Sequence, residues 1–264
     1  MPDSAIINQL SGNFVIGTLI FIRVTALFFV GPIFSHSSVQ PTVKIALSIV
    51  LAVMMTIGFG HEQPSIDMHL WILAGLAVKE LLVGVALGFA MNMIFYAVRF
   101  AGGLLDFDIG FQTALLFDQN ADVPTLIGEL KNMIALMIFL GMNGHHFMIE
   151  AIFASIRAVP LAEFAVTESM ITILVRLITT VTIIAIKLAA PVLLSLFIMN
   201  VSLALLSRVA PQLNIFTLSM QFKIVVGLIV LFVTIPLFLV ITKNAMTSFQ
   251  KEAFAVVMSL NPKR

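Results

Sequence analysis

Four of the six aspartates in this 264-residue chain crowd into one short segment: Asp106, Asp108, Asp118 and Asp122. Closely spaced carboxylates can serve as general acid and base. No catalytic nucleophile, metal set or histidine base accompanies them, and no basic residue stands between Arg99 and Lys131. His145, His146 and Glu150 have a spacing that a metal could use. Three such residues at a helix end, with no cysteine in the chain and no further clustered histidine, make a poor site. Hydrogen bonding at an interface is the better expectation for them. Neither His-Glu-x-x-His nor Gly-x-Ser-x-Gly occurs. The residues therefore point away from an enzyme, and no metal or cofactor is expected.

A second set of reactive types lies inside apolar runs: Arg23, Lys79, Glu80, Arg176 and Lys187. A charge at the centre of a bilayer costs about 2.5–3.5 kcal/mol on insertion scales. Each of these side chains should face protein, water or the membrane interface. Arg176 and Lys187 are eleven residues apart, so they share a helix face. Glu80 is the only carboxylate deep in an apolar run, with Lys79 beside it, which supports a proton relay weakly.

The elements that carry these residues are helices. The chain is 60% hydrophobic and 10% charged, with a mean hydropathy of +1.12. Ordinary soluble domains are about 45–50% apolar and about 25% charged. A soluble fold of this size has too much surface to hide so much apolar area. A net charge of +1 without a broad basic surface argues against nucleic acid. A membrane-spanning helix needs roughly 20 apolar residues. Six stretches meet or approach that length, near 11–34, 43–60, 70–99, 126–156, 170–205 and 222–243. Gly31-Pro32 through Pro41, His61 through Pro64, and Arg208 through Asn214 separate some of them. The fold class expected is an all-α membrane protein of about six long hydrophobic helices, some broken or hairpin-like. Gly84 and Gly88 form a small-xxx-small pair for close helix packing, and Asn92 continues that face.

Segment 106–122 interrupts the pattern. Glycine and phenylalanine alternate with acids there, so it is neither a clean span nor a plain polar loop. It is either an exposed connector or a folded-in loop. Irregular backbone at membrane depth is tolerated only where it is buried in protein or lines water.

Four blocks, taken in order, resemble the FliR family of flagellar export-gate proteins, called SctT in type III secretion. They are Gly31-Pro32-Ile33-Phe34 with Pro41 and Lys44; Gly84 to Ala90 running to Arg99, then Gly110-Phe111 to Asp118 and Pro124; Phe139-Leu140 through Asn143-Gly144-His145; and Asn200 through Ala204 with Arg208 to Phe216. The chain departs from the family pattern at Gln119 and at Ser219-Met220-Gln221.

The resemblance implies a non-enzymatic subunit of a helical, hetero-oligomeric export gate in the bacterial inner membrane, at the flagellar basal body. FliP-like and FliQ-like subunits, an FlhB-like protein and exported unfolded proteins would be its partners, with lipid around it. Residues 1–165 would be the FliP-like part, and 166–264 a FliQ-like helical hairpin and tail. The loop matching 106–122 would plug the closed pore, with Asp106, Phe107, Gly110, Phe111, Phe117 and Asp118 as its residues. A small-solute or ion transporter is the alternative. That reading needs an intramembrane binding site, commonly at paired repeats, and no convincing inverted repeat relates the two halves.

Overall fold

A computed structural model describes residues 2–34, 39–64, 69–111, 125–161, 163–164, 168–212 and 214–259. Among them are eight α-helices, one 3-10 turn and no strand. The helices are α1 (Pro2–Val30), α2 (Pro41–Phe59), α3 (Leu70–Ile109), α4 (Leu126–Gly141), α5 (Gly144–Ala158), α6 (Glu168–Val209), α7 (Ile215–Val233) and α8 (Ile235–Ser259). The 3-10 turn, Gly60–Glu62, follows α2. The chain is thus an all-α membrane protein.

Each boundary has a local cause. Gly31-Pro32 ends α1, and Ile33 beyond it has a positive φ of 69°. Pro41 opens α2 in the first turn, where its missing N–H costs nothing. Asn143 takes the left-handed conformation at φ 58°, which asparagine tolerates better than most residues, and it divides the fourth apolar stretch into α4 and α5. The sixth stretch divides at Thr234, just before Pro236. Asn214 caps α7 by accepting a hydrogen bond from the Thr217 amide at 3.3 Å. Six apolar stretches therefore become eight helices. By length and composition four helices can cross a membrane, or up to six if each broken pair, α4 with α5 and α7 with α8, is one span.

Two helices exceed a bilayer. α3 has 40 residues and α6 has 42, so each runs about 60 Å. That is about twice the 30 Å hydrocarbon thickness. Pro191 lies inside α6 without ending it. Ser195 donates to the carbonyl of Pro191 at 2.9 Å.

The chain divides into two compact units. The first comprises Met1–Met93, Asn143–Leu177 and Ser248–Arg264. Its core includes Ile20, Val24 and Leu27 of α1, Met55 of α2, Leu87 of α3 and Ile152 of α5, all at most 1% exposed. The second comprises Ile94–Met142 and Ile178–Thr247. Ala101, Leu105 and Ile109 of α3, Ala135 of α4, and Ala185 and Leu196 of α6 are fully buried there. Outer faces of both units stay apolar: Met54 and Ile57 of α2, and Leu194 and Phe197 of α6, are exposed. Large bare apolar faces need lipid or another protein against them.

Candidate functional site

Arg23 and Glu80 meet inside the first unit. Arg23 Nε donates to Glu80 Oε2 at 2.5 Å, and the two side chains are 1% and 0% exposed. The guanidinium also donates through Nη1 to Ser155 Oγ at 3.4 Å, and through both Nη atoms to the carbonyl of Val159 at 3.2 Å. Val159 is the C-cap of α5, where carbonyls lack intrahelical partners and the helix dipole favours a cation. The Ser155 hydroxyl in turn donates a hydrogen bond to the Ile152 carbonyl at 2.8 Å. One buried arginine thus ties α1 to α3 and α5. The buried charge is matched and hydrogen-bonded, which is the condition for carrying it at low cost.

Two glycines allow this approach. A Cβ on Gly84 would stand 2.3 Å from the Arg23 carbonyl oxygen and 2.7 Å from Ala26 Cβ. A Cβ on Gly88 would stand 3.0 Å from the Leu27 carbonyl oxygen. Asn92, one turn on, donates from Nδ2 to the Val30 carbonyl at 3.0 Å. Gly84→Ala is therefore expected to destabilise by about 2 kcal/mol through overpacking. Gly75, with nothing within 4 Å of its hypothetical Cβ, is the control. Gly75→Ala should be neutral or stabilising by up to about 1 kcal/mol. Thermal unfolding in detergent compares the two; equal midpoints would refute the contact.

The second site is the end of α3. The segment read as irregular from Asp106 onward is helical through Ile109, and the helix stops at Gly110, whose φ is 99°. Asp106 is 1% exposed. Its Oδ1 accepts from the Ile127 amide at 3.0 Å and its Oδ2 from the Gly128 amide at 3.3 Å. Those amides belong to the first turn of α4, where N–H groups have no intrahelical acceptor. The local N-cap, Thr125, makes no side-chain cap bond. Asp106 therefore caps α4 from 21 residues away. Lys131, one turn further along α4 and 5% exposed, lies in the electrostatic field of Asp106 and places its Nζ 5.1 Å from the Phe238 ring centroid. The helices touch at Gly102 and Gly128: a Cβ on Gly102 would fall 2.2 Å from Gly128 Cα. The clasp packs the end of α3, beyond the Gly102-Gly103 doublet, against the start of α4.

Of the other residues singled out, Phe107 is 73% exposed, and Gly110 and Phe111 are half-buried. Phe117 and Asp118 lie outside the described residues. Lys79, Arg176 and Lys187 are all exposed on their helices. Among the described residues no group of three or more histidine, cysteine, aspartate or glutamate side chains could hold a metal. Sequence reading missed Ser155, Lys131 and the Gly102–Gly128 contact. The Gly102-Gly103 doublet inside an apolar run was the available signal for the last.

The sequence profile of the family described as bacterial export proteins, family 1, matches residues 14–249. The chain belongs to the FliR family of bacterial export proteins. It is 33% identical over 232 residues to the flagellar biosynthetic protein FliR of Bacillus subtilis (strain 168), covering 86% of this chain and 88% of that protein. Against FliR of Escherichia coli (strain K12), identity is 31% over 220 residues, 82% of each chain. The surface presentation of antigens protein SpaR of Shigella flexneri is 27% identical over 216 residues, 81% of this chain and 82% of that one. This FliR-family chain is thus an integral membrane protein of flagellar biosynthesis and protein export, related to type III secretion. Such proteins are structural components of a secretion apparatus. The Arg23–Glu80 pair and the Asp106 clasp are the buried polar anchors of its two units.

Proposed function

We propose that this FliR-family chain is a subunit of the flagellar type III export gate in the bacterial inner membrane. It helps form the channel through which unfolded flagellar proteins cross, and its segment after α3 plugs that channel when closed. FliP-like and FliQ-like subunits cover the exposed apolar faces. Residues 1–165 act as the FliP-like part and 166–264 as the FliQ-like part, with an FlhB-like protein at the closed gate.

One observation carries the plug reading. The end of α3 and the start of α4, which flank the segment, are held together by the bonds of Asp106 to Ile127 and Gly128. A plug has to be anchored at its base while its tip is displaced. The positive φ of Gly110 supplies a sharp exit that glycine alone adopts readily. Phe107 and Phe111 stand at that exit, and Phe117 and Asp118 follow in the sequence.

The anchor also says how to test the plug. A deletion should begin beyond Ile109 and end before Thr125, leaving the clasp intact. Cells carrying the assembled gate with residues 110–124 replaced by a short Gly-Ser linker are expected to leak small ions and dyes. A gate that assembles and remains as tight as wild type would show that the segment is no plug.

A further inference from the structure

The last part of α3 and the whole of α4 lie in the second unit, within Ile94–Met142. Phe95, Arg99, Gly102 and Asp106 share one face of α3, because residues three and four apart stack on a helix. Gly128, Asn132 and Phe139 share one face of α4 by the same spacing. Three contacts fix how these faces meet. Asp106 accepts from the Gly128 amide, Gly102 abuts Gly128, and the Phe95 and Phe139 rings stand 5.6 Å apart, edge to face. The two helices are therefore antiparallel along this seam. Arg99 and Asn132 fall opposite each other, between the glycine contact and the aromatic pair. The Arg99 carbonyl oxygen confirms the level: it would stand 3.5 Å from a Cβ on Gly128, one turn before Asn132.

At that level the seam holds a donor and an acceptor that the protein does not satisfy. Arg99 Nε and Asn132 Oδ1 are both buried, and neither has a hydrogen-bond partner among the described residues. Asn132 as a whole is 5% exposed. The two atoms are complementary, since a guanidinium N–H can only donate and an amide oxygen can only accept. They nevertheless do not bond each other. Buried polar groups are paired with protein or with ordered water, because an unmade bond forfeits the hydration the group had in the unfolded chain.

The pair selects what can bridge it. An anion accepts from Arg99 Nε but is repelled by Asn132 Oδ1. A cation reverses the problem. The bridging group has to accept and donate at once. It also has to be small, because the close approach of Gly102 to Gly128 brings the two backbones together one turn away. A water molecule meets all of these conditions, and buried waters occupy sites where two or more polar groups lack protein partners.

We infer that the α3–α4 seam binds one water molecule, which accepts a hydrogen bond from Arg99 Nε and donates one to Asn132 Oδ1. The site does not depend on the export-gate reading, because it lies within the second unit of this chain alone. Arg99 is seven residues before Asp106, so the water is a second polar tether between α3 and α4, about 10 Å behind the Asp106 clasp.

The test uses the full chain purified in detergent, with thermal unfolding and an experimental density map fine enough to show waters. The wild-type map should contain one peak within hydrogen-bond distance of both Arg99 Nε and Asn132 Oδ1. Arg99→Met and Asn132→Leu each strand the other group, so each should lower the unfolding midpoint by about 5 °C. The double change removes donor and acceptor together, so it should lose clearly less than the sum of the two. Asn132→Gln carries its oxygen one carbon further and should bond Arg99 directly, losing the peak while falling less than Asn132→Leu. Should Arg99→Met fail to fold, Arg99→Lys serves in the same cycle, because it keeps the charge without the Nε donor. Additive losses in the cycle would overturn the proposal, since the two groups would then share no partner. A wild-type map with Arg99 Nε bonded directly to Asn132 would overturn it as well. So would replacement of the peak by bromide on exchange of the buffer salt, which would identify an anion site.

Discussion

Glu80→Ala is expected to destabilise the chain by about 3–5 kcal/mol, because it strands a buried arginine without its counter-charge. Arg23 is 1% exposed, and its remaining bonds go to a serine hydroxyl and to a carbonyl, none of which carries a full negative charge. Either side of the pair should therefore fail alone, so Arg23→Ala should be comparably damaging. The paired apolar replacement behaves differently. Buried ion pairs exchanged for hydrophobic side chains of similar volume are often neutral or more stable by about 1–4 kcal/mol. Arg23→Met with Glu80→Leu should thus recover most of what either single change loses. Thermal unfolding in detergent and yield in the membrane fraction provide the comparison. A Glu80→Ala protein within about 0.5 kcal/mol of wild type would mean that the pair does not hold α1 to α3.

Asp106→Ala is the second large effect. Two first-turn amides of α4 lose their acceptor, and Lys131 loses its nearby anion. Hydrogen bonds to a charged group contribute about 1.5–3 kcal/mol each, so a loss of roughly 3 kcal/mol is expected. Asp106→Asn keeps one acceptor oxygen and should lose less. The two variants separate function from stability. If the clasp anchors a plug, Asp106→Ala should leak in assembled gates under conditions where Asp106→Asn stays tight. Matching leak in both variants, or in neither, would detach the clasp from gating. Unchanged unfolding in Asp106→Ala would detach it from stability as well.

How much of this was readable beforehand follows from what each feature depends on. The all-helical membrane class is a property of composition, and composition needs no coordinates. Broken helices are expected from the sequence, but their positions at Asn143 and Thr234 are not, because an apolar stretch looks much the same whether one helix or two carry it. Arg23 and Glu80 were each visible as charges in apolar runs. Their pairing was not, since 57 residues separate them and Lys79 stands beside Glu80. One residue along a helix turns the side chain by about 100°, which leaves Glu80 buried and Lys79 exposed. By type and spacing Asp106 groups with the other acids of its segment in an irregular loop. Its role depends on the start of α4, and a cap provided from 21 residues away leaves no local pattern. The Gly102–Gly128 contact was hidden for the same reason.

The Arg23 network also sets an order of events during synthesis. α1 reaches the membrane carrying an arginine whose partner is 57 residues behind it. At about 5–20 residues per second, several seconds pass before Glu80 is made. Ser155 and Val159 follow much later, 132 and 136 residues after Arg23. During that interval the insertion cost of about 2.5–3.5 kcal/mol is uncompensated. α1 therefore gains the counter-charge of its arginine only after α3 has been made. The buried pair of the finished molecule thus ties the pairing of the α1 charge to the synthesis of α3.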